Sequence, residues 1–170
     1  QLMLLHGAQG KGKSTFVRHL LPPELKDYYR NGMISPDNKD HLLQMSSCLL
    51  INLDEFDTLS PARMQELKSL ITQDVMNERK VYDIQNYTFI RRASFIASTN
   101  NPHCLPDIGE NRRILFNTLL EIDYHTPVNH QGIYAQAYAL YRQGFQYWYE
   151  NQEITFLNNR NEAFRQKDPL

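Results

Sequence analysis

Cysteine, net charge and long apolar runs are all scarce in this sequence. Its two cysteines, Cys48 and Cys104, stand far apart and outside any C-x-x-C spacing. That excludes a disulfide scaffold and a cysteine-rich zinc module, and leaves buried free thiols in a reducing, cytoplasmic compartment as the expectation. Eighteen Lys and Arg stand against nineteen Asp and Glu, for a formal net charge of −1. A globally basic protein that coats nucleic acid is thereby excluded, and any DNA contact must come from a local patch. No apolar stretch approaches the roughly 20 residues a membrane-crossing helix needs, and there is no signal peptide. The six histidines show no H-E-x-x-H or other paired metal spacing and receive no site.

What is present begins at once. Residues 7–15, Gly7-Ala8-Gln9-Gly10-Lys11-Gly12-Lys13-Ser14-Thr15, match the phosphate-loop pattern G-x-x-x-x-G-K-[ST]. The apolar run Gln1 to His6 before it reads as a buried parallel strand, and Phe16 to Leu21 after it as a helix ended by Pro22-Pro23. Glycines let the loop turn its N–H groups inward around phosphates, while the helix start adds its positive dipole end. Lys13 then reaches the β- and γ-phosphates of ATP, and the Ser14 hydroxyl holds Mg²⁺. The chain opens at Gln1 inside this strand, which reads as a segment of a longer protein.

Residues 24–36 read as a loop with one short element, and Asp37 to Met45 as a helix capped by Asp37 or Asn38. The run Cys48 to Leu53 is a second apolar strand, and it ends in Asp54-Glu55. In ATPases of this kind a carboxylate so placed enters the magnesium shell, and a following Glu orients and deprotonates the attacking water; Asp54 and Glu55 fit those roles. An acidic helix start gives the same two letters, and only the preceding phosphate loop favours the first reading.

Ser60-Pro61 opens a helix whose core face is Met64, Leu67, Leu70 and Ile71, with Lys68 pointing off that face. Val81 to Ile90, bracketed by Arg79-Lys80 and Arg91-Arg92, reads as a hairpin. Its cations and tyrosines suit a single nucleic-acid strand, and suit equally a solvated hairpin whose arginines pair with nearby acids. Ala93 to Asn100 is a third apolar strand ending in a polar amide; Asn100 is the candidate sensor of the γ-phosphate, or simply the start of an Asn-Asn-Pro turn. Arg112-Arg113 precede a further strand, Ile114 to Asn117, and either arginine can reach into a neighbouring subunit's nucleotide site or pair within the chain. Tyr134 to Tyr149 carries an aromatic helical stripe expected to be core, with Gly144 weakening or kinking the helix, and the tail from Glu150 reads as one more helix.

Taken together, the phosphate loop, Leu53-Asp54-Glu55, Glu66-Leu67-Lys68 with Arg79 and Tyr82, Thr99-Asn100 and Asp107-x-Gly109-x-Asn111-Arg112-Arg113 follow in one order across residues 1 to about 150. That succession resembles the virulence-associated protein E (VirE-like) family of plasmid, phage and mobile-element ATPases, which look like relatives of superfamily 3 helicases within the AAA+ group. The resemblance implies an ATP-driven motor or switch on DNA. It makes Lys13 a phosphate contact, Ser14 and Asp54 magnesium ligands, Glu55 the polariser of water, Asn100 the sensor and Arg112 or Arg113 the finger in trans. It places Lys68, Arg79, Lys80, Arg91 and Arg92 against DNA, single-stranded by the hairpin pattern, in the channel of a homo-oligomeric ring.

The expected fold is a three-layer α/β P-loop domain, AAA+-like, with a mostly parallel sheet and a helical C-terminal portion. Residues 1–125 form the ATPase core and 126–170 a helical extension of the same domain. The expected function is Mg-ATP hydrolysis coupled to movement on, or remodelling of, DNA. Its rivals are a nucleotide-dependent switch acting on a protein partner and a non-hydrolysing domain that binds ATP to hold an oligomer together.

Overall fold

A computed structural model of the chain describes residues 1–54, 56–79, 86–105 and 111–166. Its elements run β1 (Leu2–His6), α1 (Lys13–His19), a 3₁₀ stretch Pro23–Tyr28, β2 (Tyr29–Asn31), α2 (Lys39–Ser47), β3 (Leu50–Leu53), a 3₁₀ turn Phe56–Thr58, α3 (Pro61–Leu70), β4 (Val75–Arg79), β5 (Asn86–Ile90), β6 (Ser94–Thr99), β7 (Ile114–Thr118), α4 (His130–Arg142) and α5 (Asn151–Glu162). Among the described residues no helix is long and apolar enough to cross a membrane.

Five strands form one sheet in the order β2-β3-β6-β1-β7, and every pairing in it is parallel. Parallel strands are covered on both faces, which is why β1 and β3 are nearly continuous apolar runs. Leu5, Leu50 and Ile96 pack on one face against Val17 and Leu21 of the α1 region. On the other, Leu2, Leu4, Ile51, Leu53 and Phe95 meet Leu42 and Met45 of α2 and Met64, Leu67 and Leu70 of α3. The result is a three-layer α/β fold of P-loop-like architecture, with the ends of β1, β3 and β6 side by side.

Local chemistry sets the helix starts. The Asn38 side chain accepts from the Asp40 and His41 amides to cap α2, and Ser60 accepts from the Arg63 amide to cap α3, with Pro61 at its first position. Gly144, at φ +72°, lies just past the end of α4 and terminates it: the Gly144 amide donates to Tyr141 and that of Phe145 to Leu140.

Three expectations change. The tentative short element in residues 24–36 is both a 3₁₀ stretch and β2, and β2 extends the sheet beside β3. The hairpin is present as the antiparallel pair β4 and β5, but its first strand is Val75–Arg79, with Val75 opposite Ile90 and Met76 opposite Phe89. Met76 is buried in the core; an unbranched methionine fills such a gap without announcing a strand. Residues 80–85 lie outside the described residues, so the Asp-Ile-Gln-Asn centre and Tyr82 are not placed. Last, the aromatic stripe of α4 is not core: Tyr138 and Tyr141 are 62% and 76% exposed, and Phe145 and Trp148 just beyond it are also exposed. Both sheet faces already carry their helices, so the stripe has nothing to cover. The start of α4 is tethered to the end of α1 by Tyr134, which donates to the Leu20 carbonyl, and by His130 against that of His19. Farther on, Phe164 stacks on Phe116 with ring centroids 3.7 Å apart.

Candidate functional site

The glycine-rich loop leaves β1, turns over the carboxyl end of the sheet and enters α1. Gly10 and Gly12 take left-handed φ values of +78° and +79°, which a side chain would strain. The Gly7 amide donates to the Thr99 carbonyl and so fastens the loop to β6. Inside it, Lys13 is 8% exposed. Its ammonium donates to the Gly7 carbonyl at 2.6 Å, the Ala8 carbonyl at 2.9 Å and the Asn100 side-chain oxygen at 2.8 Å. Burial pushes the Lys13 pKa down, with the nearby Asp57 carboxylate pulling the other way.

Beside it, Ser14 donates to Asp54 Oδ1 at 3.4 Å. Asp54 also accepts from the Asn31 amide on Oδ2 and from Asn52 on Oδ1. Asn52, fully buried in β3, donates a further bond to Asn31. The two asparagines, on neighbouring strands, thereby fix the carboxylate across from the loop. These groups, with Asp57, Thr58 and Tyr124, border a cavity of ≈ 590 Å³, a size suited to a small-molecule ligand.

Several residues here had no part in the sequence expectations. Asp57 accepts from the Thr99 hydroxyl and, at 3.1 Å, from the Asn100 amide, so it holds the end of β6. Two acids three residues apart are the available signal, because a 3₁₀ turn brings i and i+3 to the same side. Asn31 gives no such signal in a three-residue strand, and neither does Tyr124, whose ring lies against Gly12.

Of the expected residues, Gly7 to Thr15, Asp54 and Asn100 come together. Glu55 and Lys80 lie outside the described residues, as do Asp107, Gly109 and Glu110, and of Arg79 only the backbone is described. Lys68 is a correction. It is 2% exposed, and its ammonium donates to Asn111 Oδ1 at 2.8 Å, turned inward rather than toward DNA. Burial, then Arg113 and Arg165, lower its pKa. Arg91 is another correction: its guanidinium donates to the Gln73 and Ala93 carbonyls, both at 2.7 Å, and to Asp74 at 3.1 Å, and it also sits over Phe95. It braces the base of the hairpin, whereas Arg92 is exposed. Arg112 is exposed and Arg113 half-buried, donating to the Lys68 carbonyl. Both precede β7, at the amino end of a strand parallel to β1, and so lie at the opposite end of the sheet from this chain's own loop.

A strand–glycine loop–helix unit beside an acid-tipped strand, on a parallel sheet covered on both faces, defines a P-loop-like α/β domain. The chain belongs to the virulence-associated protein E-like domain family, whose model matches residues 1–166. No curated protein matches the sequence. Among solved structures, the apo A form of the NrS-1 C-terminal region (305–718) is similar at a TM-score of 0.50 and 17% identity, over 96% of this chain and 33% of that one. Another apo A-form structure of that region gives 0.44 at 19% identity, over 96% of this chain and 35% of that one. The chain thus spans about a third of the length of the structures it resembles.

Proposed function

We propose that this domain binds Mg-ATP in the 590 Å³ cavity and hydrolyses it, coupling hydrolysis to movement on, or remodelling of, DNA in mobile-element replication. The observation that carries the reading is the convergence of Lys13, Ser14, Asp54 and Asn100 from three adjacent parallel strands. Ligands of open α/β sheets bind at the carboxyl ends of the strands, where these groups meet.

Lys13 compensates phosphate charge once its bonds to the Gly7 and Ala8 carbonyls are exchanged for phosphate oxygens. The Ser14 hydroxyl and the Asp54 carboxylate, 3.4 Å apart, are the hard oxygen donors magnesium takes. Magnesium supplies charge neutralisation on the phosphates. Glu55, next to Asp54, orients and deprotonates the attacking water, and Asn100, held by Asp57, reports the γ-phosphate. Arg112 serves a neighbouring copy in a ring, consistent with its distance from its own chain's loop. Arg92, with Arg79 and Lys80, offers the hairpin's cations to a DNA strand.

One observation also favours a switch. Because Lys13 donates to Asn100, a phosphate that captures the ammonium frees the end of β6, and that change can be passed to a partner without translocation. Steady-state hydrolysis by the full chain, with and without single-stranded DNA, separates the readings. DNA-stimulated turnover abolished by Lys13→Ala and by Glu55→Gln supports the motor. Turnover indifferent to DNA favours the switch, and tight ATP binding without turnover in an oligomer leaves the nucleotide structural.

A further inference from the structure

The cavity is polar nearly throughout, with one aromatic ring, Tyr124, among its described lining residues. That ring lies flat enough on the glycine loop that a Cβ built on Gly12 would come within 2.1 Å of its Cδ1. Any side chain at Gly12 would evict it. A short turn fixes the ring in place: the Asp123 carboxylate accepts from the His125 amide at 3.1 Å, the Thr126 amide at 3.0 Å and the Thr126 hydroxyl. The His125 ring backs Tyr124 with centroids 4.2 Å apart. The segment is anchored upstream as well, where the Leu119 amide donates to the His6 carbonyl at the end of β1.

Lys13, Ser14 and Asp54 account for the phosphates and their metal, but none of them offers a surface to a nucleobase. The geometry points to Tyr124 as the platform on which the base of the bound nucleotide stacks, at the side of the cavity where the chain leaves β7 and passes over Gly12. This rests on the nucleotide reading of the site and adds to it the residue that distinguishes a nucleotide from a bare polyphosphate. Stacking uses the π-face that every base has, so Tyr124 supplies affinity and leaves the choice between adenine and guanine to other groups.

The test is equilibrium binding of ATP, GTP and inorganic tripolyphosphate, each with magnesium, to the full chain and to Tyr124→Phe, Tyr124→Leu and Tyr124→Ala. Tyr124→Phe keeps the stack and binds all three as the wild type does. Tyr124→Leu keeps bulk over Gly12 but loses the π-face; like Tyr124→Ala it weakens ATP and GTP alike, by on the order of tenfold, and leaves tripolyphosphate unchanged. Tripolyphosphate binding also serves as the check that each variant is folded. Equal losses for ATP and tripolyphosphate would overturn the inference and make the ring a support for the loop. Tighter tripolyphosphate binding by Tyr124→Ala would overturn it too, making the ring a cover over the phosphate site. Wild type that binds tripolyphosphate but gains nothing from a base refutes the stack alone, while wild type that binds none of the three refutes the nucleotide reading itself.

Discussion

Lys13 and Asn100 are joined by a 2.8 Å hydrogen bond from ammonium to amide oxygen, although 87 positions separate them in sequence. They stand just beyond neighbouring strands, β1 and β6. The bond places the cation of the glycine loop and the polar end of the next strand in one unit, and Asp57 extends that unit by holding the Asn100 amide. A charged ligand entering here meets groups already linked to one another.

Asn100→Ala is expected to lower ATP turnover by on the order of 10²-fold while nucleotide affinity changes far less, because Lys13 keeps its loop and gains freedom to bind phosphate. Steady-state hydrolysis beside equilibrium nucleotide binding checks the split. Equal losses in both would place Asn100 in ground-state binding instead.

Lys68→Met tests the inward placement of that amine. Substitution removes the donor that Asn111 Oδ1 now has and should cost about 1–3 kcal/mol, read as a lower urea midpoint. DNA affinity of the folded variant should stay at the wild-type value, and a selective loss of DNA binding at unchanged stability would return Lys68 to the channel.

Arg91→Ala should destabilise the fold by about 2–3 kcal/mol, since three bonds to the hairpin base are lost together. Arg91→Lys should fail to restore it, because an ammonium cannot reproduce the planar fork. Arg92→Ala, at an exposed position, should stay within about 0.5 kcal/mol and instead lower stimulation by DNA. Chemical denaturation and DNA-dependent hydrolysis on the same variants separate the two arginines.

Burial pushes the Cys104 thiol up to about 12, against 9.0 for an unburied one, with the Thr99 hydrogen bond opposing and the Asp57 charge reinforcing. In the folded chain the thiol keeps its proton where the unfolded chain has released it. The contribution of Cys104 to stability is therefore present below about pH 9 and declines as pH rises toward about 12. The stability difference between wild type and Cys104→Ala, followed through that window, should shrink. Alkylation should spare Cys104 in the folded chain at a pH where an ordinary thiol, near 8.5, is half ionised.

Tyr138→Ser and Tyr141→Ser should each change stability by no more than about 0.5 kcal/mol, because both rings stand in solvent. A loss of about 3 kcal/mol or more, the size seen on truncating buried aromatics, would show that the stripe is covered.

The sheet was legible in the sequence where a strand announces itself through continuous apolar residues, as in β1, β3, β6 and β7, and helix starts were legible where Asn38 and Ser60 supply a cap. The loop and Asp54 were legible because phosphate and magnesium chemistry demands particular residues at fixed spacing. Lys68 and Arg91 were misread because charge is visible in a sequence but its partner is not: Asn111 and the Gln73 and Ala93 carbonyls become neighbours only through the fold. The aromatic stripe of α4 misled for the complementary reason, since periodicity reports that a helix has an apolar face and is silent on whether a sheet face remains for it to cover. Asn31 and Tyr124 were missed because each reaches the site through topology, one on a three-residue strand and the other on an irregular segment.

The register of β1 bears on how the domain comes into being. Leu2 lies between Phe95 and Ile114, so the strand that carries the glycine loop is among the first parts made and among the last to find both neighbours. At about 5–20 residues per second of synthesis, that strand spends several seconds with its edges open, and the closure that follows is of the long-range kind that is slow to form. Until β6 and β7 arrive there is neither Asn100 to receive Lys13 nor Tyr124 to lie on Gly12. The part of the molecule most readable in the sequence is therefore among the last to exist as a site, and a chain interrupted before Ile114 carries the motif without the pocket.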